Sequence, residues 1–196
     1  MPIQRVLKTN AVKATHIAAN AVGSSELDLT ANYDFTGTLT GTTGMTLTNS
    51  GGVDVSGTAS VDFTGLPAGI KRIVVNFYGV SGASTDTGAL IRLGTSSGIV
   101  TSGYGSISHW GGGGQSDTSG LYLYGTHTSN SINGIATINH IGNNIFVSSH
   151  SLMYNTSNGA FGGGYKDLGA TLTQLRVSLV SGGNFDSGRI NLMYEI

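Results

Sequence analysis

A single tryptophan stands beside the side chains that sugar-binding sites commonly use. Trp110 follows His109 and precedes a run of four glycines, and Gln115 and Asp117 come just after that run. A flat indole offers an apolar face to a sugar ring, while imidazole, amide and carboxylate groups can orient its hydroxyls. Two nearby tyrosines can extend this platform. The candidate glycan-binding residues are therefore His109, Trp110, Gln115, Asp117, Tyr122 and Tyr124.

The same residues also fit a purely structural interpretation. A lone tryptophan often packs in a core or between subunits, and tyrosine pairs on one strand face commonly pack between protomers. Composition and spacing leave both interpretations open.

Catalytic and metal-binding patterns are weak in this chain. Residues 94–98 match G-x-S-x-G, but a nucleophile elbow needs a strand-to-helix turn, and a β-like segment follows, so we expect a hairpin turn. The chain has no cysteine, and its ten carboxylates are scattered. The five histidines are isolated from one another: His16, His109, His127, His140 and His150. We therefore predict a non-enzymatic protein with no catalytic residues, no cofactor and no metal site. A glycan depolymerase that draws its acids from neighbouring chains is a further alternative.

The charge balance narrows the class of partner. Nine Lys and Arg residues against ten Asp and Glu give a net charge of −1, and charged residues make up only 10% of the chain. Such a balance gives no general attraction to nucleic acid or to anionic lipid. Dense apolar runs are far shorter than the ~20 residues of a membrane-spanning helix. We therefore expect neither a nucleic-acid partner nor membrane insertion.

The elements that must position these residues are strands. Residues 61–196 contain about nine alternating or apolar runs separated by Gly, Ser and Asn, which predicts an antiparallel, jelly-roll-like β-sandwich. In residues 121–124, leucines alternate with tyrosines, which predicts two different strand faces. The glycine runs 111–114 and 162–164 are expected to be loop tips. Residues 33–60 are predicted to form a short extended β neck.

Residues 1–32 carry large aliphatic side chains at every fifth position. Neither a helix nor a strand has this period, so we expect short extended pieces joined by turns, with one aliphatic side chain per unit. One chain cannot cover such a stripe, which indicates sister copies or a docking partner. An Ala-rich terminal helix is the alternative. The stripe consists of Leu7, Val12, Ile17, Val22 and Leu27.

Several segments resemble bacteriophage fibre-type virion proteins. NAVKATHIAANAV (10–22) is similar to the segments that join fibres to virions, and DFTGTLTG (34–41) is similar to fibre necks. FTGLPAGIKRI (63–73), FYGVS (77–81), IRLG (91–94) and FDSGRINLMYE (185–195) resemble a C-terminal domain of phage and prophage structural proteins.

The resemblance implies a homotrimeric virion component with an N-terminal attachment segment. The expected location is the surface of an extracellular particle, after synthesis in the host cytoplasm. A short fibre would contact other virion proteins of the tail or capsid through residues 1–32 and display its sandwich outward, where it would bind a host-surface glycan. The alternative is a capsid decoration protein that stabilises the head without binding a receptor, because fibres that reach for hosts are usually longer than this chain.

Overall fold

The computed structural model describes residues 47–83 and 88–196, and every regular element in these ranges is a β-strand. The stripe from Leu7 to Leu27 and the rest of residues 1–46 lie outside this part. The strands are β1 Leu47–Asp54, β2 Ser60–Thr64, β3 Arg72–Gly82, β4 Gly88–Thr95, β5 Gly98–Ile99, β6 Tyr104–Trp110, β7 Gly113–Asp117, β8 Leu121–Tyr124, β9 Ile132–Gly142, β10 Ile145–Met153, β11 Gly159–Asp167, β12 Gln174–Leu179 and β13 Phe185–Glu195.

The strands form two sheets in which all the pairings of named strands within the described residues are antiparallel. The larger sheet has eight strands in the order β1-β13-β3-β9-β10-β11-β6-β7. The smaller sheet has the order β2-β12-β4-β5, and β8 also pairs with β4. One apolar core contains side chains from both sheets. The prediction of an antiparallel β-sandwich is confirmed.

Alternating side chains explain how the strands build this core. In β3, Ile73, Val75 and Phe77 are buried, and the side chains between them are more exposed. In β8, Leu121 and Leu123 enter the core, as their alternation with tyrosines predicts. Because successive side chains of a strand point to opposite faces, each sheet has an inner, core-facing surface and an outer surface.

Two hairpins follow directly from local sequence. Gly94 and Thr95 pair with Ile99 and Gly98, so the G-x-S-x-G segment is a β4–β5 hairpin, as predicted, and not a strand-to-helix elbow. Between β9 and β10, Asn143 and Asn144 have φ values of 49° and 58°. Asparagine tolerates this left-handed region well, and two such residues in succession suit a tight hairpin.

Two expectations about segment boundaries need correction. The described part of the predicted neck belongs to the sandwich, because β1 pairs with β13 and β2 pairs with β12. The glycine run 162–164 is not a loop tip: it lies inside β11, between β10 and β6. In the other glycine run, the turn occupies Gly111 and Gly112, and β7 begins at Gly113.

Candidate functional site

Trp110 ends β6 and takes part in an aromatic cluster. Its ring stacks on that of Tyr124, with centroids 3.8 Å apart and planes 5° from parallel. Tyr124 in turn meets Tyr154 edge-on, at 5.2 Å between centroids. Both Trp110 and Tyr124 are partly buried against the core, and burial raises the pKa of Tyr124. One face of the indole is therefore already covered by a side chain of the same molecule.

Among the other predicted glycan-binding residues, only His109 lies on the opposite face of the sheet. Gln115 and Asp117 pair with the inner-face residues of β6 and so share the face of Trp110. His109 points to the opposite face of β6, is exposed, and stacks on Phe161 with ring centroids 6.1 Å apart. Tyr122 is fully buried and donates a hydrogen bond to Gln115 Oε1 at 3.1 Å. Asp117 accepts hydrogen bonds from the backbone N–H and the hydroxyl of Ser119. Five of the six residues therefore occur together, but Tyr122 is fully buried and one face of the indole is covered by Tyr124, so they do not form an open sugar platform.

Replacement of Trp110 tests its structural role. Trp110→Ala should lower the free energy of unfolding by about 2 kcal/mol, because the stack with Tyr124 and part of the core contact are lost. Urea unfolding followed by circular dichroism measures the change. Trp110→Phe keeps an aromatic face and should recover most of the loss. An unchanged urea midpoint for Trp110→Ala would show that the stack contributes nothing to stability.

A buried serine–histidine pair lies inside the sandwich, and sequence reasoning did not find it. Ser108 Oγ is 2.8 Å from His150 Nε2, and the Ser108 oxygen also accepts a hydrogen bond from the backbone N–H of Tyr124 at 3.3 Å. Ser108 is fully buried and His150 is 8% exposed, so a substrate has no path to this hydroxyl. Burial lowers the pKa of His150 to about 4. The pair is therefore a structural contact and not a nucleophile with its base.

The inner-face serines of β6 connect the two sheets. The hydroxyl of Ser106 accepts a hydrogen bond from the backbone N–H of Tyr122 at 2.6 Å, and Ser108 does the same for Tyr124. These N–H groups lie on β8, which pairs with β4 through its other side. An unpaired strand edge inside a fold would leave costly unsatisfied groups. Ser106 and Ser108 supply the missing acceptors.

A polar cleft lies beside the aromatic cluster, between the segment that precedes β9 and the turn that follows β10. Its volume is about 330 Å³. It is open to solvent, and its walls carry amide and hydroxyl groups together with one thioether. The lining residues are Ser129, Asn130, Ser131, Asn133, Met153, Asn155 and Thr156. We refer to this feature as the amide cleft.

Local hydrogen bonds hold the walls of the amide cleft. Asn133 Oδ1 accepts the backbone N–H of Gly79 at 2.8 Å, which fixes this side chain against β3. Asn155 Oδ1 accepts the N–H groups of Ser157 and Asn158 and the side-chain amide of Asn158. His127 and Asn130 exchange backbone hydrogen bonds across the preceding turn. Binding to such a prearranged wall costs less ordering entropy than binding to a mobile one.

The outer surface of the large sheet carries an apolar patch, which we define as Ile107, Val147, Phe161 and Tyr165. Phe161 is 64% exposed and Tyr165 is 59% exposed. The strand register places Ile107 opposite Gly163, between these two aromatic residues, and Val147 opposite Tyr165. A Cβ atom on Gly105 would lie 2.3 Å from the Tyr165 ring, so this ring lies directly over the glycine. The patch is therefore flat and continuous across β6, β11 and β10.

Within residues 47–83 and 88–196, no three His, Asp or Glu side chains are arranged to hold a metal ion. The same ranges contain no helix with the length and hydropathy that crossing a bilayer requires. Comparison of the chain with protein-family models, curated proteins and solved structures gives no significant match.

Proposed function

We propose that the protein is a non-enzymatic structural component of a bacteriophage virion. In this proposal it is a short homotrimeric fibre that is anchored by residues 1–32 and displays its β-sandwich outward for contact with host-surface glycans. The segment resemblances described above supply the class of protein. The observation that carries the assembly is the apolar patch on the outer surface of the large sheet.

The composition of the patch favours contact between copies of this chain. Two of its four side chains are aromatic and more than half exposed, which is unusual for a surface that faces only water. On the same sheet surface, Ser149, Ser151 and His109 carry no fixed charge, and the carboxylate of Asp167 lies at the edge of the patch, two residues beyond Tyr165. Interface centres are depleted of charged residues and enriched in aromatic ones. The centre of the patch therefore has the uncharged, aromatic composition of an interface, with Asp167 at its rim.

The first test is the oligomeric state. Wild-type protein should sediment as a trimer in analytical ultracentrifugation, and the double variant Ile107→Lys/Phe161→Lys should sediment as a monomer with unchanged circular dichroism. The introduced ammonium groups would have to be desolvated in the interface. Ser97→Lys places the same charge in the exposed turn between β4 and β5 and should leave the trimer intact. A monomeric wild-type protein would contradict the proposed assembly, and a trimeric double variant would exclude the patch as its interface.

The second measurement concerns location. Electron microscopy of particles that carry labelled protein should place the label on the virion surface. A label at the tail supports a fibre that meets the host, whereas a label distributed over the head lattice supports capsid decoration. Absence of the protein from purified particles would contradict both.

A further inference from the structure

We propose that the amide cleft binds an uncharged saccharide unit. This inference rests on the proposed function, because a sandwich displayed on a virion would meet host-surface glycans. The residues of the cleft are different from those of the Trp110 platform expected from the sequence. The cleft lies where β9 begins and β10 ends, and its Met153 is on the same sheet surface as Phe161 of the apolar patch, two residues further along β10 than the partner of Phe161. Assembly through the patch is compatible with binding in the cleft only in an arrangement that leaves residues 129–133 and 153–156 uncovered.

The first support is the hydrogen-bonding capacity of the cleft. Within the described part of the chain, the side chains of Asn130, Ser131 and Thr156 make no hydrogen bonds, and Asn155 uses only its Oδ1 atom. These groups offer both donors and acceptors to a ligand. A sugar hydroxyl also donates and accepts, so amides and hydroxyls of this kind match a polyhydroxylated ring.

The second support is the apolar surface beside these polar groups. Met153 lines the cleft and is 48% exposed. A sugar ring has an apolar face of C–H groups that packs well on such side chains. Polar and apolar surfaces thus occur together, as recognition of a sugar requires.

The third support is the absence of charge. None of the seven lining residues is charged. A carboxylated or phosphorylated ligand would lose water on entering without gaining a cationic partner, which is costly. The volume of about 330 Å³ lies at the lower end of the range for small-molecule sites. These properties favour a short neutral saccharide over an acidic one.

The proposal can be tested by NMR titration of the full chain with defined sugars. The probes are the methyl glycosides of glucose, galactose, mannose, N-acetylglucosamine and N-acetylgalactosamine, together with lactose and its anionic derivative sialyllactose. At least one neutral probe should shift the amide resonances of residues 129–133 and 153–156 with a millimolar Kd. Weak binding at one site is enough, because display in several copies multiplies avidity. If lactose binds, sialyllactose should bind no more tightly.

Two variants assign the site. Asn130→Ala and Met153→Ala should each weaken binding at least about tenfold, because a hydrogen-bonding amide or an apolar packing surface is lost. Neither side chain is needed for folding, since Met153 is half-exposed and the side-chain amide of Asn130 makes no hydrogen bond within the described residues. The control variant is Thr101→Ala, which should bind sugar normally. Thr101 is exposed and lies just before β6. The cleft adjoins the aromatic cluster at the other end of β6, because Tyr154 stands between the cleft residues Met153 and Asn155.

The outcomes separate this proposal from the proposed function. The saccharide site would be overturned by any of three results. These are no resonance shift with any neutral probe, wild-type affinity in both cleft variants, or tighter binding of sialyllactose than of lactose. Neutral-sugar binding by a monomeric wild-type protein would support the site while contradicting trimeric assembly. A trimer that binds none of these sugars would support assembly and remove the cleft as a ligand site.

Discussion

Gly162→Ala should destabilise the sandwich by about 3 kcal/mol, because the strands around β11 leave no room for a side chain. A Cβ atom at this position would lie 2.1 Å from the carbonyl oxygen of Ile107 and 2.9 Å from the Cα of Ser108. Both are backbone atoms, so β6 and β11 would have to move apart. The same Cβ would lie 2.8 Å from Cε1 of His150, which would also have to shift.

Urea unfolding followed by circular dichroism measures this loss, with Gly111→Ala as the matched control. At Gly111 the nearest heavy atom to an added Cβ is Asn158 Oδ1, 4.0 Å away, so the control should keep a midpoint close to that of the wild type. A Gly162→Ala protein as stable as the control would mean that β6 and β11 separate freely at this point.

The same glycines show what sequence alone could not reveal. A run of three glycines normally marks a loop, and this pattern predicts a loop tip at residues 162–164. The requirement for glycine comes from the neighbouring strands: Cβ atoms on Gly163 and Gly164 would lie 2.5 Å and 2.6 Å from the carbonyl oxygens of Ser148 and Gly105. These neighbours are about 15 and 60 residues away along the chain, so no local pattern identifies them.

The β-sandwich architecture, in contrast, can be predicted from the sequence, because strands are marked by local hydrophobic periodicity. The alternation at 121–124 predicts that the leucines and the tyrosines point to different faces of the strand, and Leu121 and Leu123 enter the core. The 94–98 hairpin followed from the β-like residues on both sides of it. The extra strands that the sequence did not reveal are short, as at β5, or glycine-rich, as at β7 and β11.

The predicted glycan-binding set does not form an open platform, because His109 is separated from the other members and Tyr122 is fully buried. β6 continues to Trp110. In a strand, adjacent residues point to opposite faces, so His109 and Trp110 cannot line one surface. The amide cleft gives a weaker signal, namely two clusters of Ser and Asn at 129–133 and 155–158. Only the fold brings these clusters together.

Stability should fall by roughly 3 kcal/mol between pH 6.5 and pH 4, because the fold disfavours protonation of His150. Burial lowers the pKa of His150 from 6.5 to about 4. Below pH 6.5 the unfolded chain binds a proton at this residue that the folded chain does not bind until about pH 4. Proton binding therefore lowers the free energy of the unfolded state relative to the folded state as the pH falls through this window, and above the window the contribution of His150 is constant.

The hydrogen bonds of Ser108 also favour the neutral form of His150. Because the Ser108 oxygen accepts the Tyr124 N–H, its own hydrogen is available for donation to Nε2 of a neutral His150. Protonation would place a second hydrogen between these two atoms and remove the acceptor from the Ser108 hydroxyl. The ionised Asp62 does not obscure the effect, since its hydrogen bond with Arg176 holds the pKa of this carboxyl below its usual value and hence below the window.

His150→Gln isolates the effect, because glutamine keeps hydrogen-bonding groups but does not titrate. The free energy of unfolding from urea titrations at pH 7 and pH 4.5 should differ much less in this variant than in the wild type. His109→Gln removes an exposed histidine from the outer surface and should retain the wild-type pH dependence. The His150 ring protons should also titrate in NMR spectra with a midpoint near pH 4. An equally large loss of stability in His150→Gln would assign the acid sensitivity to other groups and leave the buried Ser108–His150 pair with no part in it.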